Sequence, residues 1–115
     1  MNIKDIFITE GTTHYINIDC FDENTKNKFD LNGYKAMFFL TDNDCHTGVI
    51  DKQVTIEDNT ISVKLEPKDT MNKKELRYEC RIFAENGDVF HVCGGKINVS
   101  KSKIPIECLI EKYPK

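Results

Sequence analysis

The sequence predicts an all-β sandwich, and three observations carry that reading. Short runs of alternating apolar and polar residues recur along the chain, as in Ile61 to Leu65 and Leu76 to Ala84. A period of two marks strands with one buried face. Clusters of Asp, Asn and Gly separate the runs, notably Asn32-Gly33, Asp58-Asn59 and Asn86-Gly87-Asp88, and these are the residues that tight reversals select. No run of helical period intervenes, so antiparallel strands joined by short turns are expected.

The elements follow in order. Ile3 to Ile8 reads as a first strand, closed by Thr9-Glu10-Gly11. Thr12 to Phe21 is the second, with Ile16, Ile18 and Cys20 on one face and Tyr15, Asn17 and Asp19 on the other. The polar stretch from Asp22 to Lys28 is a loop. Leu31-Asn32-Gly33 turns the chain into a third strand, where Tyr34, Ala36, Phe38 and Leu40 oppose Lys35, Met37, Phe39 and Thr41. Apolar residues on both faces there predict a central strand or a covered outer face. Val49 to Ile56 is a short edge segment, and Asp58-Asn59 turns it into Thr60 to Leu65. Pro67 to Lys74 is not strand: Pro67 lacks a donor, and Asp69-Thr70 favours a turn or a single helical turn. Leu76 to Ala84 is the clearest strand. Val89 to Cys93 and Lys96 to Val99 form the last strand or strand pair, with Gly94-Gly95 as a kink or bulge.

The result is an immunoglobulin-like antiparallel β-sandwich of seven to eight strands over residues 1–100, followed by a linker and an apolar C-terminal extension over 101–115. Tyr78 stands two residues before Cys80, where such folds place a tyrosine corner, and Cys20 lies where the partner cysteine would be. The chain has no Trp, so the Trp–disulfide core of antibody domains is missing.

Composition sets the limits. A chain of 115 residues with 39% hydrophobic and 30% charged residues is an ordinary globular domain. The net charge is −3 and Arg occurs only at Arg77 and Arg81, which argues against nucleic-acid binding, because phosphate contacts need clustered basic side chains. The longest apolar run, Ala36 to Leu40, is too short to span a bilayer, and Met1 to Ile6 lacks the apolar core of a signal peptide. Synthesis in a reducing cytoplasm is expected. The five cysteines are odd in number and show no Cys-x-x-Cys spacing, so mostly buried, reduced thiols are expected rather than a disulfide framework.

Several stretches, taken in order, resemble a family of small immunoglobulin-like modules in tailed bacteriophages and prophages, in particular the N-terminal domain of the upper baseplate protein of phages infecting Gram-positive bacteria. They are Gly11-Thr12-Thr13, Phe29-Asp30-Leu31-Asn32-Gly33-Tyr34-Lys35-Ala36, Leu65-Glu66-Pro67-Lys68-Asp69-Thr70, Leu76-Arg77-Tyr78-Glu79, the Gly87-Asp88-Val89-Phe90 hairpin and Gly95-Lys96-Ile97-Asn98-Val99. Each is a turn plus a strand; the ordered set spans roughly residues 9–100. The resemblance implies a virion structural protein, made in the host bacterial cytoplasm. It would sit in baseplate, tail or capsid decoration and contact other virion proteins or further copies of itself, with no nucleic-acid or membrane partner.

Chemistry-bearing patterns are sparse. No Gly-x-Ser-x-Gly elbow, nucleophilic Cys-His set or phosphate-cradling loop is present, so no catalytic residue and no cofactor is expected. Asp42-Asn43-Asp44-Cys45-His46 opens like a calcium loop, but Thr47 and Gln53 stand where Gly and Glu belong. Cys45, His46, His91 and Cys93 are the residues a zinc site would use, His91 and Cys93 pointing the same way along a strand. No metal is expected there. Candidate protein-contact residues are Met37 and Phe39 on the two-faced strand and Ile104, Ile106, Leu109, Ile110 and Tyr113 in the tail; the tail either packs on its own sandwich or, like the outer face at Met37 and Phe39, forms a subunit contact. The rival readings are a host receptor- or glycan-binding surface module and a metal-dependent hydrolase.

Overall fold

The computed structural model describes residues 2–3, 5–42 and 48–114. Among these residues nine strands form two sheets. They are β1 (Asn2–Ile3), β2 (Ile6–Thr9), β3 (His14–Asp19), β4 (Lys35–Asp42), β5 (Ile50–Lys52), β6 (Val54–Glu57), β7 (Thr60–Leu65), β8 (Glu75–Phe83) and β9 (Val89–Ser100). Sheet A runs β1-β9-β8-β4-β5, with β2 also on β9, and sheet B runs β3-β7-β6. Two short helices, α1 (Pro67–Thr70) and α2 (Ile106–Ile110), complete the chain. The three-stranded sheet facing a larger one, with the chain crossing back and forth between them, is the immunoglobulin-like arrangement.

The long strands obey their alternation. In β8, Leu76, Tyr78, Cys80 and Ile82 are buried while Arg77 and Arg81 face water. In β4, Phe38 and Leu40 enter the core, and in β7 Ile61, Val63 and Leu65 do. The Phe38 ring stacks on Tyr78 at 5.4 Å between centroids, a contact worth about 0.5–1.5 kcal/mol beyond the area both bury. β4 is internal, between β8 and β5, as its two apolar faces require.

Three expectations are corrected. The first strand is interrupted, and both halves, β1 and β2, pair parallel with β9, so the sandwich is not purely antiparallel. The segment from Val49 to Ile56 is not one edge strand. β5 pairs with β4 in sheet A, and β6, beyond Gln53, pairs with β7 in sheet B. These two splits raise the strand count to nine. The last strand runs unbroken through Gly94-Gly95, and its irregularity lies earlier. Cys80 pairs with Cys93 but Arg81 pairs with His91, leaving Val92 as the extra residue of a bulge. The cysteines agree with the expectation of mostly buried thiols: Cys20, Cys80 and Cys93 are buried, Cys108 is exposed, and none of these four is in a disulfide.

Turns and caps close the frame. Asp58 turns β6 into β7 at φ 58°, in the left-handed region that Asp tolerates. At α1 a capping box joins Glu66 and Asp69, with Asp69 accepting from the Glu66 N–H at 2.7 Å. The same carboxylate receives Lys52 Nζ at 2.8 Å with both side chains largely buried, which ties β5 to α1.

Candidate protein-contact site

The outer faces of the two sheets differ in kind. On sheet B the outward residues of β3 and β7 satisfy one another across the ladder. Ser62 Oγ donates to Asn17 Oδ1 at 2.7 Å, Thr60 Oγ1 donates to Asp19 Oδ1 at 2.7 Å, and Lys64 Nζ lies 5.9 Å from the Tyr15 ring centroid. Such cross-strand pairs make a surface at ease in water.

The outer face of sheet A is less polar. The register places Met37 and Phe39 of β4, Arg81 and Phe83 of β8, and Val89 and His91 of β9 on it. Phe39, Phe83 and Val89, joined by Val49, line a shallow groove of ≈ 940 Å³. Val49 and Val89 are exposed, at 61% and 48%, while Met37 and Phe39 are half-buried. Both arginines of the chain, Arg77 and Arg81, border the same groove. Aromatic groups interleaved with Arg are the composition that protein interfaces favour.

At the centre of the groove is a charge cluster. Glu79 accepts from Arg81 Nε with one oxygen, and its other oxygen lies 3.3 Å from His91 Nε2. His91 Nδ1 is buried without a hydrogen-bond partner among the described residues. Gly94 makes room for this ring, since a Cβ there would sit 3.4 Å from His91 Nε2 and 3.1 Å from the Tyr78 carbonyl. The pairs are partly exposed and add little to stability; they position charge on a surface.

The tail is divided. Ile106 is 4% exposed and fills a socket over Gly11, where a Cβ would fall 2.4 Å from Ile106 Cδ1. Ile106 therefore faces its own domain and offers nothing to a neighbour. Tyr113 donates its hydroxyl to the Gly11 carbonyl at 3.3 Å yet remains 41% exposed, with Ile104 at 52% and Ile110 at 41%. Leu109 is half-buried. The linker is anchored by the buried Glu10, whose two oxygens accept from the N–H groups of Ser102 and Asn72, each at 3.2 Å.

The residues considered for zinc do not converge. The bulge at Val92 turns His91 to the outer face, paired with Arg81, and Cys93 to the core, paired with Cys80. One extra residue flips a strand's faces. Cys45 and His46, and the Asp42 to His46 stretch beyond its first residue, lie outside the described residues. Among the described residues no three His, Cys, Asp or Glu side chains are placed to hold a metal ion, and no helix is long and apolar enough to cross a membrane. Burial pushes the Cys80 thiol up to about 12, with smaller contributions from Cys93 and Cys20. Burial also raises Cys20, beside Asp19. Protonated core thiols are poor nucleophiles.

Sequence reading misses the grouping of Arg81, Glu79 and His91. Alternation along β8 signals that Glu79 and Arg81 face out together, but only the bulge brings His91 beside them.

Comparison with known proteins adds little beyond this geometry. No family model and no curated protein matches the sequence. Among solved structures, the M1 domain from titin is similar at a TM-score of 0.48 and 12% identity, over 90% of this chain and 93% of that one. The strand order defines the class on its own: an immunoglobulin-like β-sandwich.

Proposed function

We propose that this chain is a non-enzymatic structural module of a tailed-phage or prophage particle, held in baseplate, tail or capsid coat by contacts with neighbouring virion proteins. The observation that carries the contact reading is the asymmetry of the two faces. Sheet B presents self-satisfied polar pairs, whereas sheet A presents Phe39, Val49 and Val89 beside both arginines. The virion assignment is supported by the ordered motifs from Gly11 to Val99. Absence of enzymatic activity is supported by the sequence, which carries no Gly-x-Ser-x-Gly elbow and no phosphate-cradling loop.

On this reading Phe39 and Arg81 are the anchors, an aromatic and an Arg at the middle of the face, the types that dominate interface energetics. The test is incorporation. Particles are purified from the phage or induced prophage carrying the gene, and the chain is quantified by mass spectrometry. Wild type should be present at a fixed stoichiometry. Phe39→Glu and Arg81→Glu should each lower incorporation about tenfold or more, the effect of losing one anchor, with circular dichroism still showing a folded β protein. Absence of the wild-type chain from particles would sink the virion reading, and normal incorporation of both variants would move the contact off sheet A.

A further inference from the structure

A second surface, independent of the outer face of sheet A, is open where the two sheets meet at the β3 and β9 edges. β2 covers Ile97 to Ser100 of β9, and β1 covers Cys93 and Gly94. Among the described residues no strand lies against Val89 to Val92 on that side, nor against the outer edge of β3. The consequence is visible at Phe90. It pairs with the buried Ile82 and so points to the core side of sheet A, yet it is 46% exposed. Its ring joins Tyr34 at 6.4 Å, and Tyr34 joins Phe29 at 5.5 Å. Phe21, 55% exposed, stands across from them. Together with Ile18 and Val92 these rings line a cleft of ≈ 560 Å³. The interior of the sandwich is thus uncovered at one corner.

The backbone beside this cleft is ready to pair. Cys20 donates its N–H to the Asn59 carbonyl, which continues the β3–β7 ladder. In an antiparallel pair alternate residues face the partner, so Ile18, Ile16 and His14 are turned to β7. The N–H and C=O groups of Tyr15, Asn17 and Asp19 are turned outward. An unpaired edge next to an apolar cleft is the geometry of strand addition.

Charge selects the occupant. Asp19, Asp22 and Glu23 line the cleft, against Lys26. A second copy meeting this edge across a two-fold axis would bring Asp19 and its neighbours toward their own images, which is unfavourable. We infer that the β3 edge and the adjoining cleft bind an extended segment of a partner protein, alternately apolar and basic, as an added strand. Its apolar side chains enter between Phe21 and Phe90, and its basic side chains lie along Asp19 and Asp22.

The probe is a synthetic blocked peptide of about ten residues alternating Lys and Val, the length of a docked strand. Controls have Glu in place of Lys, or Pro at alternate positions. Titration into the full-length protein is followed by amide NMR. The Lys–Val peptide should bind with a dissociation constant below about 1 mM, at least tenfold tighter than the Glu–Val peptide, and the Pro-containing peptide should not bind. Shifts should centre on Tyr15, Asn17, Asp19 and Phe90. Asn17→Pro removes an outward N–H and the Ser62–Asn17 side-chain pair but no β3–β7 backbone bond, and should weaken binding about tenfold; Phe90→Ser should do so through the cleft. Phe39→Glu should leave it unchanged, which separates this site from the outer face of sheet A. No binding of the Lys–Val peptide, equal binding of the Glu–Val peptide, or shifts confined to other surfaces would overturn the inference, whether or not Asn17→Pro folds.

Discussion

Gly11→Ala is the sharpest probe of how the tail is held. Gly11 has φ 71°, in the left-handed region, and its missing Cβ is occupied by Ile106 Cδ1 at 2.4 Å. The left-handed conformation costs an L-residue about 1–2 kcal/mol. The clash adds a second term, about 1–3 kcal/mol if Ile106 stays in place. It cannot exceed the docking energy of the tail, because the tail can let go, and burying one Ile supplies about 1.5–3 kcal/mol. The sum is about 3 kcal/mol, or a fall of roughly 12 °C in melting temperature at about 4 °C per kcal/mol. With Ile106→Ala already present the clash is gone, and Gly11→Ala should cost only the backbone strain, about 1–2 kcal/mol. Thermal denaturation of the four proteins of this cycle measures the coupling, and hydrogen exchange at Leu109 and Ile110 reports whether α2 has detached. Equal costs for Gly11→Ala in both backgrounds would refute the socket.

Deleting Ile104 to Lys115 should leave a folded sandwich, because the tail adds one buried side chain, Ile106, and no strand; failure of the truncated protein to fold would show the socket to belong to the core. Glu10→Gln should lose about 1–3 kcal/mol, since an amide nitrogen replaces one of the two oxygens that accept from the Asn72 and Ser102 backbones, and urea denaturation reads the loss. In a Cys45→Ser background, native protein should expose one reactive thiol, Cys108, with Cys20, Cys80 and Cys93 reacting only after unfolding. The folded pKa of Cys80 is raised from 9.0 to about 12, so its contribution is intact below pH 9 and is lost as pH rises toward 12; Cys80→Ala should flatten the alkaline fall in stability. Asp22 behaves in the opposite sense. Its Oδ1 accepts from the Thr25 and Asn24 N–H groups, which lowers its pKa from 3.8, so the turn should hold above that value and loosen as pH falls through the lower folded value, as amide exchange at Asn24 and Thr25 would show.

What can be read from the sequence is whatever depends on local pattern. β4, β7 and β8 declare themselves through alternation, and the reversals at Asp58-Asn59 and Asn86-Gly87 through residues that tolerate tight turns. The transfer from sheet A to sheet B between Lys52 and Val54 carries no such mark, because Gln53 is neither a turn former nor a breaker. The bulge at Val92 is equally hidden. Gly94-Gly95 looks like the kink, but Gly94 admits the close approach of His91 and the Tyr78 carbonyl, and the extra residue is an ordinary Val. The contact face is half legible: Met37 and Phe39 stand out as apolar on the wrong side of a strand. Their company of Arg81, Val89 and His91 comes from strand order, which is set by long-range pairing. The apolar tail signals docking, on its own domain or on a neighbour, but which side chain turns inward is set by the socket at Gly11, far away in sequence.

The parallel pairing of β1 and β2 with β9 gives the module a mechanical character. In a parallel pair the start of the first strand and the end of the second lie at opposite ends of the ladder. A force pulling residue 2 away from Ser100 therefore runs along the strands and loads the β1–β9 and β2–β9 hydrogen bonds together, in shear. A hairpin pulled from its open end would instead lose its bonds singly, in sequence. The tail lies outside this clamp, so tension applied beyond Ser100 first extracts Ile106 from its socket, extending the chain before the sandwich itself bears the load.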